Sequence, residues 1–151
     1  MNKVILAEHA GFCGGVRRAV LITEKALVTD DQVYVAGDLV HNKDVMRRLT
    51  EQGLRIWQGE PLTARDTIII RAHGTELATL QKFEKMGARI IDATCPDVAK
   101  IHRIAEEAAQ QKATLIVFGE ADHPEVKGIL SRCPNNSIAT LDYSEITDYL
   151  Q

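Results

Sequence analysis

Hydrophobic positions along the 151 residues follow two alternating rhythms. Short β-rich runs ("KVILA", "QVYVAGDLV", "LRIW", "DTIIIRA", "ARIIDA", "ATLIVFG" and "SIATLD") are separated by longer stretches whose apolar residues recur at helical spacing. The first of these, "VRRAVLITEKALV", sets Val16, Ala19 and Val20 on one side of a helix. "KDVMRRLTEQG" is expected to close on Gly53 and "TELATLQKFEKMG" on Gly87, as C-terminal caps, with Thr75 capping the start of the second. "DVAKIHRIAEEAAQQK" reads as a long amphipathic helix, "PEVKGILSR" as a helix with proline in its first turn, and "SEITDYLQ" as a last one. "DTIIIRA" is apolar enough to be buried on both faces. Alternation of this regularity predicts an α/β fold, with mostly parallel sheets flanked by helices.

A short internal repeat sharpens the domain picture. "CGGVRR" at Cys13 and "CPDVAK" at Cys95 both read Cys-x-x-Val-x-(Lys/Arg), and both lie between a strand and a helix. The shared context predicts two copies of one α/β unit. The first spans residues 1–94 and the second, incomplete, spans 95–151, with a further unit expected beyond this chain.

Composition narrows the classes. Apolar residues at 45% and charged residues at 26% fit a globular protein. A net charge of −3 with scattered basic residues argues against a nucleic-acid surface. No apolar run reaches the length of a signal-peptide core or a membrane span, which points to the cytoplasm. Three cysteines without secreted-domain spacing point to thiolate chemistry rather than a disulfide framework.

The reactive side chains cluster when set on this map. Ligands of parallel α/β sheets collect outside the carboxyl ends of the strands. Cys13, His41, His73 and Cys95, and then His123 with Glu125, all fall in loops that follow predicted strands. Each has a plainer reading: packing for the cysteines, a helix cap for His41, a turn for His73, a helix start for His123 and Glu125. Five loops sharing the same habit favour one pocket. His102 falls within a helix, on a solvated or packed face, and His9 is undecided. Thiolates suit zinc or an iron–sulfur cluster, imidazoles with helix N-termini suit a phosphate or diphosphate, and a carboxylate among them can relay a proton.

"GFCGGVRRA", "VHN", "AHGT", "DATCPDVAKIH" and "HPEVKG" together resemble the LytB family, in order along the chain to about residue 130. The resemblance implies three α/β units around a 4Fe–4S cluster held by three cysteines, with one iron open to the substrate's hydroxyl oxygen. Cys13 and Cys95 match two of those ligands. His41, His73 and His123 match the substrate-lining histidines, and Glu125 the proton-relay glutamate. The implied reaction is a two-electron reductive dehydroxylation of 4-hydroxy-3-methylbut-2-enyl diphosphate to isopentenyl and dimethylallyl diphosphates, in the non-mevalonate route to isoprenoids. Ferredoxin or flavodoxin is the implied electron donor. The family's third cysteine, its threonine-rich segment and its later Ser/Asn diphosphate ligands have no counterpart here, and Cys133 in "SRCPNN" does not align with the third ligand. The chain is thus expected to be the N-terminal portion of such a reductase, inactive alone. The alternatives are a catalytically inactive diphosphate-binding module and a zinc-dependent hydrolase.

Overall fold

The computed structural model describes residues 3–8 and 10–149, so His9 lies outside the described residues. Four strands form the first sheet: β1 (Gln32–Val35), β2 (Arg55–Ile56), β3 (Asp66–Ile70) and β4 (Arg89–Asp92). They are parallel throughout, in the order β2-β1-β3-β4. Helix α1 (Gly14–Thr29) precedes β1, α2 (Lys43–Glu51) leads from β1 to β2, and α3 (Leu77–Met86) leads from β3 to β4. The long helix α4 (Pro96–Gln110) then connects to a two-stranded parallel sheet, β5 (Leu115–Phe118) with β6 (Ser137–Thr140). Between those strands runs α5 (Pro124–Leu130), and α6 (Tyr143–Tyr149) follows. The expectation of mostly parallel sheets flanked by helices holds.

The period-two geometry of a strand explains the two-sided core. Every residue of β3 is buried. Ile69 points with Val33 and Val35 of β1 into a cluster closed by Ala19, Val20 and Ala26 of α1 and Leu49 of α2. Its neighbours Ile68 and Ile70 point the other way, with Tyr34, onto Phe83 of α3. Both faces of a parallel sheet are therefore covered by helices, and the apolar run "TIII" needs no polar alternation.

Three local expectations are corrected. "KVILA" is not a strand: Val4, Ile5 and Leu6 are 86%, 78% and 86% exposed. An isolated strand gains stability only from a partner edge, and nothing among the described residues pairs with it. β1 stops at Val35, well short of "QVYVAGDLV", because Gly37 turns the chain with φ +85°. Beyond that turn Leu39 and Val40 still reach the core from a loop. Finally, Thr75 does not cap α3. Glu76 occupies that position without a side-chain cap, and the Leu77 N–H donates instead to Ser131 Oγ at the end of α5, at 3.1 Å. Gly87 does cap α3, in the left-handed conformation with φ +77°.

Strand order fixes where a ligand can sit. From β1 the chain crosses to β2 on one side and then returns to β3 on the other. The carboxyl ends of β1 and β3 therefore open onto a topological switch point, the crevice where parallel α/β sheets bind ligands. His41 and His73 follow those two strands.

Candidate functional site

Hydrogen bonding continues past the strands and aligns the loops. Ala93 N–H donates to Ile70 O at 3.0 Å, Ala72 N–H to Leu39 O at 3.3 Å, and Cys95 N–H to Ala72 O at 2.7 Å. The loops after β1, β3 and β4 are thus laced together in the sheet's own direction. This lacing brings His41, His73 and Cys95 to one edge.

The two cysteines of the repeat occupy the same structural position, the N-cap residue of α1 for Cys13 and of α4 for Cys95. Neither side chain caps its own helix, so both thiols are free of that duty. Contact between the two helix starts depends on Gly15. A Cβ there would lie 2.5 Å from Cys95 Sγ and 3.0 Å from its Cβ, so any side chain would push the thiol away. Arg18 fastens the approach from the next turn, donating to Thr94 O at 3.0 Å and Asp92 O at 3.3 Å.

Three imidazoles line the same cavity. His41 stacks on His73 with centroids 4.7 Å apart and planes 4° from parallel, and His123 tilts toward His41 at 6.3 Å. The cap of α2 is Asn42, whose side chain accepts from Val45 N, so His41 is free of capping. His123 does cap: its Nδ1 accepts from the Glu125 N–H at 3.2 Å. That bond leaves the His123 proton on Nε2 as a donor. The plain helix-start reading and the pocket reading of His123 are therefore both realised.

All six predicted residues, Cys13, His41, His73, Cys95, His123 and Glu125, line a single cavity of about 340 Å³. Its apolar surface comes from Phe12, Val16, Val40, Ala72 and Val98. Val16 and Val98 are the valines of the Cys-x-x-Val repeat, so that repeat carried more of the cavity lining than its cysteines. Three helices, α1, α4 and α5, begin at this cavity and turn their N-terminal dipole ends toward it.

His73 is nearly buried, and its Nε2 has no hydrogen-bond partner among the described residues. Burial, and after it the charge of Arg71 and then His41 and His123, pushes its pKa down to about 4. His73 is therefore neutral at pH 7, a hydrogen-bonding group rather than a cation. Arg71 was not singled out by sequence reasoning. Half-buried, it donates through Nε to Gly74 O at 3.4 Å, and its Nη1 lies 2.9 Å from where a Gly37 Cβ would sit. It braces the loops after β1 and β3 against each other. The tight glycine contact is visible only in three dimensions.

Cys133 stands apart. It is 1% exposed, its thiol lies 3.5 Å from Asn136 O, and it is not among the residues lining the cavity. Among the described residues, no group of three or more His, Cys, Asp or Glu side chains could hold a metal ion. Two free thiols at helix N-termini on one cavity fit part of a cysteine-held iron–sulfur site, and a complete ligand set needs a donor from elsewhere.

Two predictions follow from this geometry. Gly15→Ala, a favourable change for helix propensity, should displace Cys95 from Cys13. Dibromobimane, which fluoresces on bridging two thiols, should label the parent chain and lose most of its signal in the variant. The second concerns pH. His73 and His102 both have folded pKa values near 4 against 6.5 for the free side chain. Their contribution to stability is complete above pH 6.5 and is lost as pH falls toward 4, because the unfolded chain takes up the protons first. Urea midpoints should begin to drop below pH 6.5, and replacing both histidines with Gln should flatten the curve between pH 6.5 and 5.

Comparisons with known proteins identify the family. A family model described as "LytB protein" matches residues 4–151. A 4-hydroxy-3-methylbut-2-enyl diphosphate reductase of Dictyoglomus turgidum is 37% identical over 144 residues, covering 95% of this chain and 51% of the relative. The enzyme of the same name from Aquifex aeolicus is 40% identical over 131 residues, covering 86% of this chain and 45% of its own length. The chain spans about half the length of the curated relatives it matches. A solved structure of (E)-4-hydroxy-3-methyl-but-2-enyl diphosphate reductase, described as the terminal enzyme of the non-mevalonate pathway, superposes with a TM-score of 0.83. It is 36% identical and covers 97% of this chain and 54% of that one. The Plasmodium falciparum reductase structure superposes at 0.87 with 27% identity, over 93% of this chain and 45% of its own. On the family match and the shared fold, the chain belongs to the LytB family.

Proposed function

We propose that these residues are the N-terminal portion of a 4-hydroxy-3-methylbut-2-enyl diphosphate reductase, providing two cluster ligands and one wall of the substrate site. The observation that carries this reading is the convergence of Cys13, His41, His73, Cys95, His123 and Glu125 on one cavity. In this reading Cys13 and Cys95 are two of three thiolates holding a 4Fe–4S cluster. When bound, the cluster supplies electrons and Lewis acidity at the carbon–oxygen bond to be cleaved. The electrons come from a small carrier protein, ferredoxin or flavodoxin, in the cytoplasm. Division of the chain at residue 94 into a first unit and part of a second belongs to the same proposal.

The chain's own residues have separable tasks. Neutral His73, with its buried and unpartnered Nε2, offers a hydrogen bond to a diphosphate oxygen. His41 stacks on it and holds its ring plane. His123 donates from Nε2, because its Nδ1 is already engaged by the backbone of Glu125. Helix starts α1, α4 and α5 favour negative charge in the same space. Glu125, in the first turn of α5, delivers the proton where the hydroxyl departs. The apolar patch from Val16, Val40 and Val98 suits a five-carbon chain and excludes water.

In a full-length context, Glu125→Gln should retain substrate binding and lower turnover by ~10²–10⁴-fold, the usual worth of an acid–base group. Turnover at the parent rate would leave Glu125 as a helix-start residue alone. The 151 residues by themselves should fold yet fail to assemble a full cluster, since two thiolates fall short of the three or four that hold one. Anaerobic reconstitution with iron and sulfide, followed by metal analysis and an assay with a strong reductant, measures this. A full cluster with turnover would overturn the expectation and direct attention to Cys133.

A further inference from the structure

Outside the lining of that cavity, His102 occupies a position that the proposed chemistry does not use. It projects from the middle of α4 and is 6% exposed. Its ring touches backbone on two sides. A Cβ on Gly74 would lie 2.5 Å from His102 Cε1, and a Cβ on Gly128 would lie 3.4 Å from its Nε2. Gly74 directly follows His73, with φ +76°, and Gly128 lies in α5, one turn beyond Glu125. The ring therefore fills the gap between the two segments that carry His73 and Glu125.

Neighbouring groups lock the same junction. Arg132, just past α5, donates through Nη1 to Thr75 O at 3.1 Å and also to Gly128 O. Its Nε faces Glu106 of α4 at 3.5 Å. Ser131 Oγ donates to Gly128 O at 2.8 Å while accepting from Leu77 N. Asp92 of β4 and Arg103 of α4 complete the charged surroundings, around a cavity of about 300 Å³. Burial, followed by the charge of Arg132, drives the His102 pKa down to about 4, with Asp92 opposing. At neutral pH the ring is an uncharged spacer. Its Nε2 makes no hydrogen bond among the described residues, so its place is set by shape rather than polar pairing.

We propose that His102 is a positioning residue, a wedge between Gly74 and Gly128 that sets the separation of the His73 loop from the Glu125 helix. Gly74 is its counterpart, since a side chain there would collide with the ring, and Gly128 gives the ring a close seat on the far side. The functional meaning rests on the reductase reading, whereas the geometry does not.

The test uses histidine ring resonances of the 151-residue chain near neutral pH, assigned from single His→Gln variants. His41 and His73 displace each other's ring protons through their stacking, so these signals report the position of the His73 loop. Two variants address the wedge. His102→Ala removes it, and Gly128→Leu pushes on it from the far side, because a methyl at Gly128 would only touch the ring whereas a longer side chain must displace it. Both should shift the His41 and His73 signals toward unstacked values. A role in stability alone would lower the unfolding temperature and leave those signals in place. Should His102→Ala fail to fold, Gly128→Leu decides. Unchanged His41 and His73 resonances in folded Gly128→Leu, or in folded His102→Ala, overturn the proposal. No cluster or diphosphate enters the measurement, so loss of the reductase reading would not alter its outcome.

Discussion

Two backbone hydrogen bonds, from Ala72 N–H to Leu39 O and from Cys95 N–H to Ala72 O, extend the register of the parallel sheet beyond its strands and into its loops. A parallel ladder spaces its bonds evenly and runs all strands the same way, so every loop at one end faces one edge. With that edge laced together, residues far apart in sequence become neighbours. Leu39, Ala72 and Cys95 carry these bonds, and His41 and His73 follow the first two within two residues. The rest of the site is built by attaching helices to it.

Those attachments share one device, the missing side chain. Gly15 lets the start of α1 meet Cys95, and Gly37 makes room for the Arg71 guanidinium. Gly74 does the same for the His102 ring. A close-packed interior cannot absorb a methyl group at such distances without displacing a neighbour. The site thus depends on atoms that are absent as much as on the imidazoles and thiols that are present. Stability and function meet here: the groups that hold the loops together, Arg18, Arg71 and Arg132, do so through backbone carbonyls of the loops that bear the site.

Electrostatics follow from the same arrangement. His73 and His102 are both held uncharged by burial, each beside an arginine that further opposes protonation. One lines the cavity and the other lies outside it. A pocket lined by imidazoles is therefore less cationic than its composition suggests. In the proposed reading, the N-terminal ends of α1, α4 and α5 supply much of the favourable field for an anion.

How much of this could be read in advance differs from element to element. The alternation of β-rich runs and amphipathic stretches determined the α/β class, and Gly87 determined where α3 ends, because these depend on local periodicity and backbone freedom. The strand-end loops could also be picked out, since a residue that follows a buried strand must emerge at its end. His41, His73, Cys95, His123 and Glu125 could be placed at the cavity in this way, whereas Cys13 follows no strand and reaches it as the N-cap of α1. Tertiary structure decided what local pattern cannot carry. "KVILA" has every feature of a strand, yet pairing requires an edge, and an edge belongs to another segment. Thr75 has the chemistry of a cap, but Ser131 supplies the bond to Leu77 from more than fifty residues away in sequence. His102 reads as one more helical residue. Only the approach of Gly74 and Gly128 makes it a wedge, because contact between backbones is a property of packing and leaves no periodic mark on the chain that forms it.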